Sequence, residues 1–516
     1  LGYKYKHFFH IFALEQQKES MQSDIIIIGG GAAGLMAAYA SATSAPEKSV
    51  SILEKMPRPG RKLIITGKGR CNFTNVKAWN EFSQHIRSKS NFPRPAFFNL
   101  PPRKLIDLFN EKGLETVVER GDRAFPLSYR AADVVDLLAD ACRDVGVQVL
   151  TGKEVTDIQA DGTGFSLFCA DGDSFSCARL IIATGGLSYP GTGSTGDGYG
   201  WARSFGHTVT PLFPSLTALV PKNYKREPVG GFPKDPALPG HIDRALELAE
   251  AGAKLCGVRL KNVGLVSWID GHVADAVFGD LDFTDGGIEG PLGFQVSRTC
   301  VKSILNGGHV TLVLDLKPGV SAEELSARVD GLWEEIKRDP RSRSLSVRDM
   351  TKVLLGKLMP RELIAGFLAC NPGVLIASVK RPRRPEENAR YYYELRTGKR
   401  ERRPDDLPYT VLPDGTRFYK PLPKVYSLDL KALVEALKGW RFEIAGFVGY
   451  ERAVVTAGGV STDEVLPKTL ESRLRPGLYF CGEVLDIDAD TGGYNLQLAF
   501  STGFLAGLSA AKSLMG

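Results

Sequence analysis

The 516-residue chain has no C-x-x-C pair, and its eight cysteines (Cys71, Cys142, Cys169, Cys177, Cys256, Cys300, Cys370 and Cys481) are scattered. That excludes a redox-disulfide motif and a disulfide scaffold, and predicts a reduced, cytoplasmic setting. No apolar run approaches the roughly 18 residues of a membrane helix, so no membrane association is expected. Charge of one sign is scarce too. A net charge of +6 over this length suits an anionic small ligand without demanding nucleic acid, which is not the expected partner. The aspartates Asp486, Asp488 and Asp490 alternate, but the run lacks the glycine and terminal glutamate of a calcium loop, and no metal site is expected. What remains is ordinary globular composition, 43% hydrophobic and 24% charged, in a chain long enough for several domains.

Residues 1–20 place Lys4 and Lys6 before a short apolar run that imitates a signal peptide, but His7 and His10 interrupt it and no small-residue cleavage site follows. With Met21 directly before a strong strand pattern, these residues read as an upstream extension.

Residues 24–30 (DIIIIGG) predict a buried strand, 32–45 a small-residue helix, and 49–55 (SVSILEK) a second strand. Between strand and helix stands G-x-G-x-x-G. Gly29 suits the tight turn, Gly31 the approach of a pyrophosphate, and Gly34 the packing of helix on strand, while the first amides of the helix, at Ala32 and Ala33, offer donors and partial positive charge. Glu54 ends the second strand where a carboxylate accepts hydrogen bonds from a ribose, and Lys55 follows it. These residues predict a bound dinucleotide.

A second glycine-rich, basic segment contains Gly60, Arg61 and Lys62, then Thr66, Gly69, Arg70, Cys71 and Asn72. Near the end, Gly482 and Glu483 close a short apolar strand, the carboxylate placed to hydrogen-bond a flavin's ribityl hydroxyls, Asp486 follows, and Gly493, Tyr494, Asn495 and Leu496 open a long helix whose amides suit the electron-accepting edge of a flavin. Together these segments select FAD. No separate second G-x-G-x-x-G unit for NAD(P)H is evident, with its own strand before it and helix after it, so NAD(P)H, if it is the reductant, is expected to bind transiently. Cys71 has no neighbouring group to lower its pKa and reads as a packed residue. Tyr189 and Tyr494 also read as packing residues, with proton donation as the alternative, and no catalytic side chain is assigned. The glycine-rich loop at 188–199 reads equally as a phosphate cradle or as a wall over the flavin.

The segments GGGAAGLMAA (29–38), GKGRCNFTN (67–75), ATGGLSYPGTGSTGDGY (183–199), VTAGGV (455–460) and GLYFCGEVLDIDADTGGYNLQLAFSTG (477–503) resemble a bacterial flavoprotein family that includes aminoacetone oxidases and bile-acid 3-oxo-Δ4 reductases. The resemblance implies an FAD-dependent oxidoreductase, linked to NAD(P)H or oxygen, and adds Val155, Ala183, Thr184 and Gly185 to the candidate cofactor contacts. It implies an α/β fold: a discontinuous Rossmann-type FAD-binding domain (21–207 and 442–516), an inserted β-rich domain (208–320 and 376–441) and a small helical subdomain (321–375). The chain departs from the family's F-T-H-x-G-x-S-G-P at two places, where Asp285 stands for the histidine and Glu289 for the serine.

The strands ending in Gly185-Gly186 and Gly458-Gly459 are expected to bracket the insertion, within which residues 321–337 and 346–370 each carry helical apolar spacing. Its basic clusters at 380–384 and 399–403 read as solvated surface, and residues 380–424 as a charged insertion. The expected activity is hydride exchange between flavin and either NAD(P)H or a small organic substrate, as a reductase or an oxidase. The alternatives are an RNA-associated flavoprotein and a non-catalytic FAD-binding scaffold. The oligomeric state is left open.

Overall fold

The computed structural model describes residues 21–162, 164–379, 397–398, 410–411, 417–418 and 424–515. The proposed extension at 1–20 and most of the charged stretch at 380–424 lie outside the described residues. The first strand, Met21–Ile28, carries four successive isoleucines that are all buried, as a strand covered on both faces requires. It pairs in parallel with Val50–Glu54 on one side and Ser174–Ile182 on the other. Gln148–Thr151 extends the sheet beyond Val50–Glu54. At the other edge the second half of Ser174–Ile182 pairs in parallel with Leu478–Phe480, and its first half pairs antiparallel with the hairpin of Phe165–Cys169 and Val155–Ala160. The last part of the chain thus completes a seven-stranded sheet begun by the first.

The helix Ala32–Ser44 returns from the first strand and packs against the terminal helix Tyr494–Lys512. Both are rich in alanine and glycine, which lets their backbones come close. One apolar cluster joins this sheet and its helices.

A second apolar cluster fills the inserted part. Its centre is a closed antiparallel barrel in the order Leu219–Pro221, Gly287–Glu289, His272–Thr284, Arg259–Ile269, Val310–Asp315 and Trp440–Phe447. Closure removes the unpaired edges an open sheet would expose. The helix Gly290–Leu305 lies against the barrel, and Ala322–Arg338, Val347–Leu358 and Ile364–Cys370 share its core. Ser321 and Glu324 form a reciprocal cap that starts the first of these three.

Three expectations need correction. The strand ending at Ile182 is interior to the nucleotide-binding sheet and is not the exit strand; the chain leaves through Phe213–Ser215, which pairs with the returning Val455–Ala457. The boundary expected at 442 cuts the barrel strand Trp440–Phe447, whose alternating burial belongs to the barrel. The single helical stretch expected over 346–370 is broken, because Met359 is extended and Pro360 has no amide to continue the ladder.

Candidate dinucleotide cleft

At the carboxyl ends of the parallel strands lies a cleft with about 1290 Å³ of open space, solvent at its mouth included. Gly29 ends the first strand with φ +101°, a conformation only glycine adopts freely. A Cβ on Gly34 would meet the Gly29 carbonyl oxygen at 1.8 Å, whereas one on Gly31 would meet nothing within 4 Å. Gly34 is therefore bare for packing, and Gly31 is bare toward open space.

The helix Ala32–Ser44 has Gly31 at its N-cap, and Tyr494–Lys512 has Gly493; neither supplies a side-chain cap. Two helix N-termini thus present amides without a side-chain partner, and Ala32, Ala33, Asn495 and Leu496 line the cleft. Such ends favour negative charge. The buried Asn72 Oδ1 and Thr184 Oγ1 have no hydrogen-bond partner among the described residues. Uncapped amides, the orphaned Thr184 hydroxyl and an apolar wall that includes Leu63, Ile487 and Leu498 fit an FAD molecule.

Glu54 is already engaged from behind. Its Oε2 accepts the Gly30 amide at 2.7 Å and its Oε1 the Met56 amide at 2.8 Å. Burial raises its pKa, against the pull of those amides. Next to it, Lys55 Nζ donates to Asp197 Oδ2 at 2.6 Å and to Thr195. This tie draws the 188–199 loop against the Lys55 end of the cleft, where Thr192, Gly193 and Ser194 form a wall.

Glu483 departs from expectation. Rather than standing free for flavin hydroxyls, its Oε2 accepts Lys62 Nζ at 2.6 Å, and its Oε1 accepts Ser188 Oγ at 2.7 Å and the Thr456 amide at 2.8 Å. It is a junction that ties the basic loop, the 188–199 loop and the returning strand, with part of its side chain still in the cleft wall.

Of the expected contacts, Gly29, Gly31, Ala32, Ala33, Glu54, Lys55, Arg61, Lys62, Thr66, Val155, Ala183, Thr184, Gly185, Gly482, Glu483, Asn495 and Leu496 line the cleft. Gly34, Gly69, Arg70, Cys71, Asn72, Asp486, Gly493 and Tyr494 do not. Cys71 is fully buried and burial pushes its thiol up to about 12, so it packs rather than reacts. Arg70 lies over the Phe125 ring. Tyr494 stacks on His85 at 4.2 Å, and burial raises its phenol to about 12. Asp486 is half-buried and held protonated more readily by that burial. Its neighbours are anchors: Asp488 takes Arg298 of the barrel helix at 2.7 and 3.0 Å, and Asp490 takes Arg87 at 2.5 and 2.8 Å and His85 at 3.0 Å. No cluster able to hold a metal ion occurs among the described residues.

Lining residues not foreseen include Leu63, Lys153, Asp197, Trp201, Val454, Val455, Ile487 and Ala499. Lys153, two residues before Val155, and Asp197, in the loop already singled out, carried a readable signal. The apolar ones did not.

Residues 23–509 match the HI0933-like protein Rossmann domain. The chain belongs to the HI0933-like FAD/Rossmann family. It is 31% identical over 486 residues to the 3-dehydro-bile acid delta(4,6)-reductase of Clostridium scindens, covering 94% of this chain and 98% of that one. It is 28% identical over 496 residues to the ribosomal RNA dihydrouridine synthase of Haemophilus influenzae, covering 96% and 100%. Among solved structures it is similar to the 3-ketosteroid-Δ4-(5α)-dehydrogenase of Rhodococcus jostii RHA1, at a TM-score of 0.39 and 13% identity, over 96% of this chain and 98% of that one. Among the described residues no helix is long and apolar enough to cross a membrane.

Proposed function

We propose that this member of the HI0933-like family is an FAD-dependent reductase that adds hydrogen across a carbon–carbon double bond conjugated with a carbonyl group in a small organic substrate. The observation that carries the reading is the cleft, where two uncapped helix N-termini meet and the buried Thr184 hydroxyl has no partner among the described residues. The full-length likeness to a 3-dehydro-bile acid delta(4,6)-reductase supplies the reaction class. Bound FAD supplies hydride transfer. The chain's own residues do the rest: Gly31 leaves room for the pyrophosphate, the Ala32 and Ala33 amides receive its charge, and Glu54 faces the ribose. The amides at Asn495 and Leu496 stabilise negative charge on the ring edge, and Lys62 holds Glu483 and Ser188 in place. NAD(P)H is the proposed electron donor from a transient site.

A second reading is favoured by the ribosomal RNA dihydrouridine synthase relative. Uridine also carries a double bond conjugated with a carbonyl, so both readings share one chemistry and differ in substrate size and charge. Purified protein is expected to show oxidised flavin bands, and anaerobic NADH or NADPH is expected to bleach them. An enone then restores the bands. A protein without flavin bands even after FAD addition refutes the reading, and bands that no reductant bleaches indicate a non-catalytic scaffold. Fast reoxidation by oxygen with no response to an enone indicates an oxidase, and response to uridine-containing RNA alone selects the second reading.

A further inference from the structure

The two positions at which the chain departs from its family's motif are brought together at the barrel end that meets the nucleotide-binding part. Asp285 and Glu289 flank the turn between His272–Thr284 and Gly287–Glu289, and both hold Arg452, which lies on the chain returning from the barrel. Arg452 Nε and Nη2 donate to Glu289 at 2.5 and 3.0 Å, and its Nη1 lies 3.1 Å from Asp285. Arg244 binds the other oxygen of Asp285 at 2.7 Å. Two positive and two negative groups thus cancel. The nearby Lys225 ammonium is turned away, onto the Arg244 and Leu246 carbonyls.

Two of the five N–H groups of Arg452 donate to Glu289 while Nη1 only pairs in charge with Asp285, so the guanidinium keeps donor capacity to spare. Tyr189, tied through its backbone to Tyr450 two residues before Arg452, is half-buried, and its hydroxyl has no hydrogen-bond partner among the described residues. Its backbone is held at φ +53°, ψ +61°, a strained setting for a non-glycine residue, while its amide donates to the Tyr450 carbonyl at 2.8 Å. Burial raises the pKa of the Tyr189 phenol, and the charge of Arg452 pulls against that rise. Neither lines the cleft itself, but their chain neighbours reach it. Val454, two residues beyond Arg452, lines it, and Ser188, before Tyr189, bonds to cleft-lining Lys62 and Glu483.

We propose that Tyr189 and Arg452, the latter locked by Glu289 and Asp285, form the oxygen-binding end of the substrate site and recognise a neutral carbonyl group. This rests on the enone-reductase reading above. A guanidinium already paired with carboxylates attracts a free carboxylate poorly, yet its spare N–H groups and the Tyr189 hydroxyl still donate to a carbonyl. They do so more strongly as that oxygen gains negative charge during reduction. The charged pairing in place of histidine and serine makes this end rigid and specific for an acceptor without net charge.

The test uses FAD-loaded full-length wild-type protein, Tyr189→Phe, Arg452→Lys and Glu289→Gln. Two neutral enones of different size, 2-cyclohexen-1-one and 4-androstene-3,17-dione, are titrated against analogues lacking the conjugated oxygen. The oxidised flavin absorbance reports binding, and kcat is measured separately. Tyr189→Phe is expected to weaken enone binding roughly threefold to tenfold. It should lower kcat by about a hundredfold, while analogue binding, FAD content and melting temperature stay at wild-type values. Arg452→Lys and Glu289→Gln are expected to show the same selectivity for the enone over its analogue. Wild-type binding and turnover in Tyr189→Phe overturns the proposal, and so does equal weakening of enone and analogue, which marks a structural role. Failure of the wild type to bind or reduce either enone overturns the function reading itself and the proposal with it.

Discussion

A single added methyl group should have opposite effects in two helices of this protein. Gly507 lies in the terminal helix where it crosses Ala32–Ser44, and a Cβ there would stand 2.0 Å from the Ala37 carbonyl oxygen. Ordinary contact begins at 3.4 Å, so roughly 1.4 Å of separation is missing, and a backbone carbonyl cannot swing aside. Overpacking of this kind costs about 1–3 kcal/mol, and the backbone clash places Gly507→Ala at the upper end. Alanine's better helix propensity returns about 1 kcal/mol, leaving a net loss of about 2 kcal/mol. Gly331 lies exposed in Ala322–Arg338 with nothing within 4 Å of its would-be Cβ, so Gly331→Ala keeps only the propensity gain of about 1 kcal/mol. At about 2–4 °C per kcal/mol for a cooperative unit of 150–250 residues, Gly507→Ala should melt about 4–8 °C lower, and Gly331→Ala should raise the barrel transition by about 2–4 °C. Release of FAD fluorescence follows the first, and far-ultraviolet circular dichroism of the FAD-saturated protein follows the second. A Gly507→Ala protein that melts at or above wild type refutes the close-packing argument.

Gly503→Ala would press on the Ala33 carbonyl at 2.2 Å, and because Ala33 lines the cleft this variant should lose FAD affinity more than Gly507→Ala does, as equilibrium dialysis can measure. Lys62→Met leaves Glu483 half-enclosed without its cation; FAD retention should fall, Lys62→Met/Glu483→Gln should recover part of it, and a coupling below about 0.5 kcal/mol in this double-mutant cycle would refute the pairing. His241 has its pKa raised, chiefly by its hydrogen bond to Glu451. The stability it contributes is therefore fully present below the unfolded value of 6.5 and is lost as pH rises through the folded value. The pair is partly exposed, so the loss should stay below about 1 kcal/mol, and His241→Gln should remove this pH dependence from urea midpoints. With a thiol reagent at pH 8, the exposed Cys256 should react first and the buried Cys71 only on unfolding, which mass mapping of labelled cysteines checks.

The nucleotide-binding turn was legible because its determinants are local: four isoleucines, three spaced glycines and a carboxylate one strand later. The barrel strand Trp440–Phe447 was missed although its burial alternates, because the amphipathic helix directly before it masked the change of period. Glu483 was found, but not its engagement, since its partners Lys62 and Ser188 are 421 and 295 residues away in the chain. Val454 and Ile487 line the cleft as plain apolar residues, with nothing in their chemistry to distinguish them from core. The charged quartet at Asp285 and Glu289 was visible only as a departure from a motif. Arg452, which gives that departure meaning, lies 163 residues from Glu289.

The alternating aspartates have a thermodynamic consequence. Ile487, which touches the cleft, is followed by Asp488, gripped by the barrel helix through Arg298, and two residues later by Asp490, gripped by Arg87 of the nucleotide-binding part. The wall of the cofactor site is therefore also the tether between the two halves. A ligand that binds the folded wall more tightly than a loosened one stabilises everything fastened to it. Filling the cleft should thus tighten the barrel as well as the sheet, although the barrel contributes no strand to that sheet.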